Sequence, residues 1–230
     1  MLPIFPAHIF NPDPVKADVA ARVISGGEAV NGEQDVIQTD GGGRWEISYG
    51  EMGQDDPFRQ QLWSAWVGEL AGGARSVLVP LLSLDTAPRP VAGNGLAMPS
   101  DLYWNDDYFP TEVRFAAPYI VARVSAPATL RATTLQVTVD QGDDVQPGMK
   151  FSVGYCGFKI ERVLSRNGST ATVRVSPPAR ESIAAGTPAN FDWPVVVCRS
   201  VIGQDLAADI MLGMYGTTTV SFVEDTGYGG

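Results

Sequence analysis

The chain has 230 residues, 44% of them apolar, and a net charge of −10. That length and composition allow one large domain or two modest ones with a sizeable core, and they exclude a chain disordered over most of its length. With only Lys16, Lys150 and Lys159 as lysines and no two arginines adjacent, the sequence lacks the clustered cations that phosphate recognition requires. Sequence-specific nucleic-acid binding is therefore not expected, although an acidic wall past which DNA slides is compatible with this charge.

In chain order, Pro3, Pro6, Pro12 and Pro14 make the first 15 residues an extended, non-helical arm. Val19 to Ile24 can form a strand, with turns at Ser25-Gly26-Gly27 and Asn31-Gly32. Val36-Ile37 and Trp45 to Tyr49 are strand-like, and Trp45, Ile47 and Tyr49 share one face across the Gly41-Gly42-Gly43 turn. One helix is expected over about 57–71. Asp56 caps it, Pro57 takes its first position, and Phe58, Leu62, Trp66 and Leu70 form an apolar row, with Gly72-Gly73 closing it. The run Ser76 to Leu82 then reads as a buried central strand.

From 85 to 118 regular patterning stops. Pro88, Pro90, Pro99 and Pro110 fall among Asp101, Asp106 and Asp107, interleaved with Tyr103, Trp104, Tyr108 and Phe109. A loop this long in a compact chain is usually functional or rests on a partner, so these four aromatics are the candidate interface residues. Beyond it, Leu135, Val137 and Val139 alternate with polar residues, as do Met149, Phe151, Val153 and Tyr155, then Phe158 and Ile160, then Ala171, Val173 and Val175 after an Asn167-Gly168 turn. Period-two alternation broken by Gly, Asn and Pro marks antiparallel strands with one face in a core. Val195 to Arg199 and Thr217 to Val223 are further strands, the latter an edge strand that a neighbouring subunit could cover.

The expected fold is therefore mainly β: a β-sandwich domain with one packed helix, plus an inserted small β-barrel domain. Residues 1–124 form the first part of the sandwich, 125–190 the inserted barrel, and 191–230 the strands that complete the sandwich.

Chemistry is sparse. His8 is the only histidine, which removes multi-histidine metal sites and most catalytic triads; it reads as a surface or interface residue. Cys156 and Cys198 are too few for a disulfide framework and read as reduced thiols in strands. Gly93-Asn94-Gly95 neither follows a strand nor opens a helix, so it is no nucleotide fingerprint. Asp140, Asp143 and Asp144 could offer oxygens to calcium, but their spacing fits no known loop. Asp101, Asp106 or Asp107 beside Trp104 and Tyr103 is the best version of a sugar-hydrolysing pair. Glu46, Glu51 and Glu69 read as surface charge, and Asn167-Gly168-Ser169 as a turn. No catalytic residue, metal or cofactor is expected. No stretch nears the roughly 20 apolar residues of a membrane span, and the N-terminus lacks a secretory pattern.

Several segments together resemble minor tail proteins of long-tailed bacteriophages, more narrowly the distal-tail type. They are Ile24 to Glu28, Gly43 to Glu46, the run Arg59 to Leu70 with Gly72 to Arg75 and Val77 to Pro80, Leu130 to Leu135, Pro147 to Ser152, Ser176 to Glu181, Ala184 to Pro188 and Val220 to Glu224. The resemblance implies a structural, non-enzymatic virion protein, assembled in the host cytoplasm. It implies a cyclic ring, hexameric by family habit, that joins the tail tube protein to hub and receptor-binding proteins and lets DNA pass. A closed head-to-tail ring would suit the N-terminal arm, laid across the next protomer. The alternatives are a glycan- or receptor-binding module of the tail or baseplate and a polysaccharide hydrolase.

Overall fold

The computed structural model describes residues 2–21, 23–28, 30, 32–38, 42–83, 87–88, 120–210 and 216–228. The protein is mainly β, with packed sheets and one substantial helix, as expected. The first sheet runs β1 (Val15–Ala20), β4 (Arg44–Gly53), β14 (Gly216–Glu224), β12 (Val195–Ser200) and β5 (Val77–Pro80), all antiparallel, with β13 (Asp209–Ile210) pairing onto β14. The second runs β11 (Pro188–Ala189), β6 (Val121–Val124), β7 (Thr134–Gln141), β10 (Thr170–Ser176), β9 (Cys156–Asn167) and β8 (Lys150–Val153). Its two ends meet where Ser152 and Asn190 exchange backbone hydrogen bonds of 2.8 and 2.9 Å, so this sheet is nearly closed into a barrel. A two-stranded hairpin, β2 (Val23–Glu28) with β3 (Gln34–Gln38), pairs with neither.

Alternation decides which face is buried. Trp45, Ile47 and Tyr49 point inward from β4, and Leu135, Val137 and Val139 from β7; all six are buried. Each sheet closes over its own core. Phe151, Phe158 and Phe191 stack at the centre of the barrel-like sheet. In the other core Phe5 lies against Phe10, Tyr49, Trp63, Trp66 and Phe222. In the second sheet Tyr155 departs from the expected alternation: it sits in the Gly154-Tyr155 turn and is exposed, because Gly154 takes a positive φ there and the chain reverses.

The helix α2 (Pro57–Leu70) is capped as its sequence demands: the Asp56 carboxylate accepts from Arg59 N at 2.9 Å, and Pro57 holds the first position. Its end lies one residue earlier than expected, with Ala71 as the left-handed cap and Gly72 following it. Its buried face also differs. Trp63 and Leu70 are buried, Leu62, Trp66 and Val67 flank them, and Phe58 points into solvent. A strict every-fourth row drifts around a helix with 3.6 residues per turn, so the true stripe combines steps of three and four.

Two strands, β5 and β14, depart from the sequence reading of which strand is central and which lies at the edge. β5 is wholly buried yet ends the strand order, because the N-terminal arm covers its outer edge: Phe5 N donates to Leu78 O at 2.8 Å and Leu78 N to Pro3 O at 2.9 Å. The arm therefore lies in its own chain's core and not across a neighbour, with Phe5, Ala7 and Phe10 buried. It also contains a helical turn, α1 (Ala7–Phe10), since the stretch between Pro6 and Pro12 keeps its amide donors. Conversely, β14 is central, flanked by β4 and β12, so its β-branched run reflects burial and not an edge awaiting a partner.

If Trp63 anchors the helix, Trp63→Ala should cost about 3–5 kcal/mol of unfolding free energy in urea titration. Phe58→Ala should stay within about 0.5 kcal/mol.

Candidate interface at the junction of the two sheets

Two sheets with separate cores meet along a seam made chiefly of polar contacts. At its centre the Trp45 indole, buried under β4, reaches across to donate from Nε1 to Gly157 O on β9 at 2.9 Å. Position 157 must be glycine for this approach. A Cβ there would stand 2.2 Å from Val196 Cγ2 and 3.1 Å from Trp45 Nε1.

The Glu224 carboxylate, at the end of β14, binds both sides. Its Oε2 accepts from Trp45 N at 2.9 Å and its Oε1 accepts from Arg180 Nε at 2.9 Å. Arg180 Nη2 also donates to Gly43 O at 2.7 Å. Gly43 takes φ +100°, and its backbone lies too close to Ala20 O for any side chain. Both Glu224 and Arg180 are largely withdrawn from water, so each charge depends on the other for solvation.

Two of the three lysines serve the same seam. Lys150 Nζ donates to Ala17 O at 2.5 Å and lies 6.0 Å from the Trp45 ring centre. Lys159 Nζ reaches Asp18 Oδ1 at 2.6 Å. Burial alone would raise Asp18, but the Lys159 ammonium and the Val19 N–H outweigh it and hold the carboxyl below its ordinary range. Burial pulls the Lys150 ammonium down, with Asp18 working against that pull. Ser176 Oγ to Gly42 O at 3.3 Å, Val195 N to Ser152 Oγ at 3.2 Å and Val197 N to Tyr155 O at 3.2 Å also cross the seam.

Beside the seam opens a cleft of about 980 Å³. Arg44, Arg131, Arg180 and Arg199 line it, against Glu181 and Glu224, with Leu130, Val201 and Ile202 as exposed apolar residues on its wall. Arg44 is also bridged to Glu46 at 3.0 Å and Arg199 to Asp225 at 2.9 Å. The fold thus gathers arginines that are 49 or more residues apart in sequence, apart from the Arg180 and Arg199 pair. Sequence reading missed this, because no local run announces it.

Of the residues singled out from sequence, Tyr103, Trp104, Tyr108 and Phe109 lie outside the described residues, as do Asp101, Asp106, Asp107 and Gly93-Asn94-Gly95. His8 is exposed on α1, with its ring 6.1 Å from that of Trp193. Asp140 pairs with Arg123 at 3.2 Å, and Asp144 pairs with Arg166. Among the described residues, no three His, Cys, Asp or Glu side chains gather as a metal ion would require. Both cysteines are free thiols. Cys156 sits next to the seam, where burial and then the Glu181 carboxylate push its thiol up to about 11. At neutral pH it is protonated and a poor nucleophile. Among the described residues no helix is long and apolar enough to cross a membrane.

Glu224→Gln removes the carboxylate that Arg180 and Trp45 N bind and should cost roughly 3 kcal/mol in chemical denaturation. Gly157→Ala should cost about 1–3 kcal/mol through overpacking against Val196. Alkali should also destabilise the fold. Burial holds the Cys156 and Cys198 thiols and the Tyr49 phenol above their ordinary values. The unfolded chain therefore releases these protons first, and stability is full below the ordinary thiol value of 9.0. The urea midpoint should fall as pH rises from there through about 11, and an unchanged midpoint over that window would contradict the burial argument.

No protein-family model matches the chain, and no curated protein matches it significantly.

Proposed function

We propose that the chain is a structural, non-enzymatic component of a bacteriophage tail tip, of the distal-tail type. It forms a ring that joins the tail tube to hub and receptor-binding parts and lets DNA pass. The observation that carries this reading is the seam: the chain commits two of its three lysines, a buried Glu–Arg pair and a buried tryptophan to holding two sheets in one orientation. A part that must repeat with the same shape around an axis benefits from such rigidity.

The segments that carry the resemblance support the reading by where they fall. Gly43 to Glu46 opens β4 and supplies Trp45 to the seam, and Arg59 to Leu70 lies within α2. Pro147 to Ser152 and Ser176 to Glu181 provide Lys150, Ser152, Ser176 and Arg180. Val220 to Glu224 ends on the carboxylate that ties them together. The net charge of −10 suits a passage for DNA that must not bind it.

Gold-labelled antibody against the protein, imaged on intact phage, should decorate the end of the tail distant from the head. Sedimentation of the purified protein should give a closed multiple of the 24.5 kDa chain, a hexamer by family habit. Label at the head-proximal end, or no label on virions, would overturn the assignment.

A further inference from the structure

The cleft beside the seam continues past the Arg180–Glu224 pair. A second hollow of about 260 Å³ shares Arg180, Glu181 and Glu224 with it, so the two adjoin along those side chains. They form one groove, with Leu130 and Ile202 exposed on the wall of its larger part and Tyr155 and Tyr228 on that of its smaller part. None of these residues belongs to 85–118, the loop from which the sequence suggested a sugar contact.

Arginines in a cleft point first to an anion, but three of these charges are already answered. Arg180 is paired with Glu224, Arg44 with Glu46 and Arg199 with Asp225, and Glu181 adds a further carboxylate to the wall. What the pairs leave is a set of fixed hydrogen-bonding groups. Arg44 gives Nε and Nη2 to Glu46, and Arg199 gives Nη2 to Asp225. Nη1 of Arg44, with Nε and Nη1 of Arg199, therefore has no hydrogen-bond partner among the described residues. Glu181 accepts only the weak Cys156 thiol, at 3.8 Å. A hydroxyl both donates and accepts. A charge-balanced wall with donors and acceptors side by side suits a ligand of many hydroxyls better than a phosphate or a carboxylate.

The rings supply the apolar part. Tyr155 and Tyr228 are 41% and 44% exposed, with centroids 6.2 Å apart and planes at 66°. Such a corner offers an aromatic face to the C–H side of a sugar ring. A peptide is served less well, because β9, β12 and β14, which carry the groove, each have a strand on both sides. No open edge there takes an added strand. The larger part, at about 980 Å³, falls within the range of about 300–1,000 Å³ usual for ligand sites.

We infer that this groove binds an uncharged oligosaccharide, with one sugar ring on the Tyr155–Tyr228 corner and hydroxyls of its neighbours on Glu181, Arg44 and Arg199. This adds a ligand to the structural role proposed above and does not depend on it.

The test is direct binding of the full chain to a panel of immobilised neutral hexasaccharides of glucose, galactose, mannose, rhamnose and N-acetylglucosamine. Hexagalacturonate and a glutamate-rich peptide stand beside them as anions. At least one neutral hexasaccharide should bind, and more tightly than either anion. For that sugar, Tyr155→Ala, Tyr228→Ala and Glu181→Gln should each weaken binding about three- to tenfold. The thermal midpoint should stay unchanged, since all three side chains are exposed. Leu164→Ala, exposed outside the groove, should leave binding as it was. Binding to no neutral sugar, binding only to an anion, or binding that survives all three substitutions would overturn the inference. Each of those results leaves the tail-tip reading standing, and a protein that labels no tail tip but binds as described removes only that reading.

Discussion

The architecture depends on one buried carboxylate. Glu224 ends the central strand of the first sheet and accepts from the Trp45 backbone on its own side and from the Arg180 guanidinium on the other. A carboxylate withdrawn from water is costly unless hydrogen bonds replace its solvation. Here those bonds come from both sheets at once, so the charge is satisfied only when the two are correctly placed. An apolar seam of the same area would bind as well but tolerate sliding, because hydrophobic contact has no direction. The polar seam selects one geometry, and the Trp45 indole, threaded over a position that admits only glycine, fixes it further.

Two of three lysines and Arg180 bridge the sheets in a chain of net charge −10. Near that seam lie a cleft where arginines from distant parts of the sequence converge and a hairpin that, among the described residues, pairs with no other strand. Rigid coupling of the sheets holds that cleft at a constant place relative to the root of the hairpin. A repeating assembly requires such constancy, since small angular errors accumulate around a ring.

Much of the fold was legible in the sequence where one physical rule acted alone. Alternation placed Leu135, Val137 and Val139 inside, and the Asp56-Pro57 pair started the helix, because both depend only on local periodicity and capping. Legibility failed where tertiary order decided. Val77 to Pro80 and Thr217 to Val223 are equally apolar or β-branched, and nothing local says which one ends the sheet; the N-terminal arm settles it by covering the first. Phe58 and Trp63 are both large and aromatic on one helix, and only the position of Phe5 and Phe10 beneath it selects Trp63. The seam was least legible. Arg180, Glu224, Trp45 and Gly157 are far apart in sequence, and each looks ordinary alone. Gly157 held the one available hint, a glycine inside a run that otherwise reads as strand, which marks close approach by another group.

The most direct test of the central claim is scanning calorimetry of the unmodified protein. If the seam couples the two sheets into one rigid body, they melt together, in a single transition whose calorimetric and van't Hoff enthalpies agree. Two resolved transitions, or a van't Hoff enthalpy near half the calorimetric value, would show that the sheets unfold independently and would contradict the account.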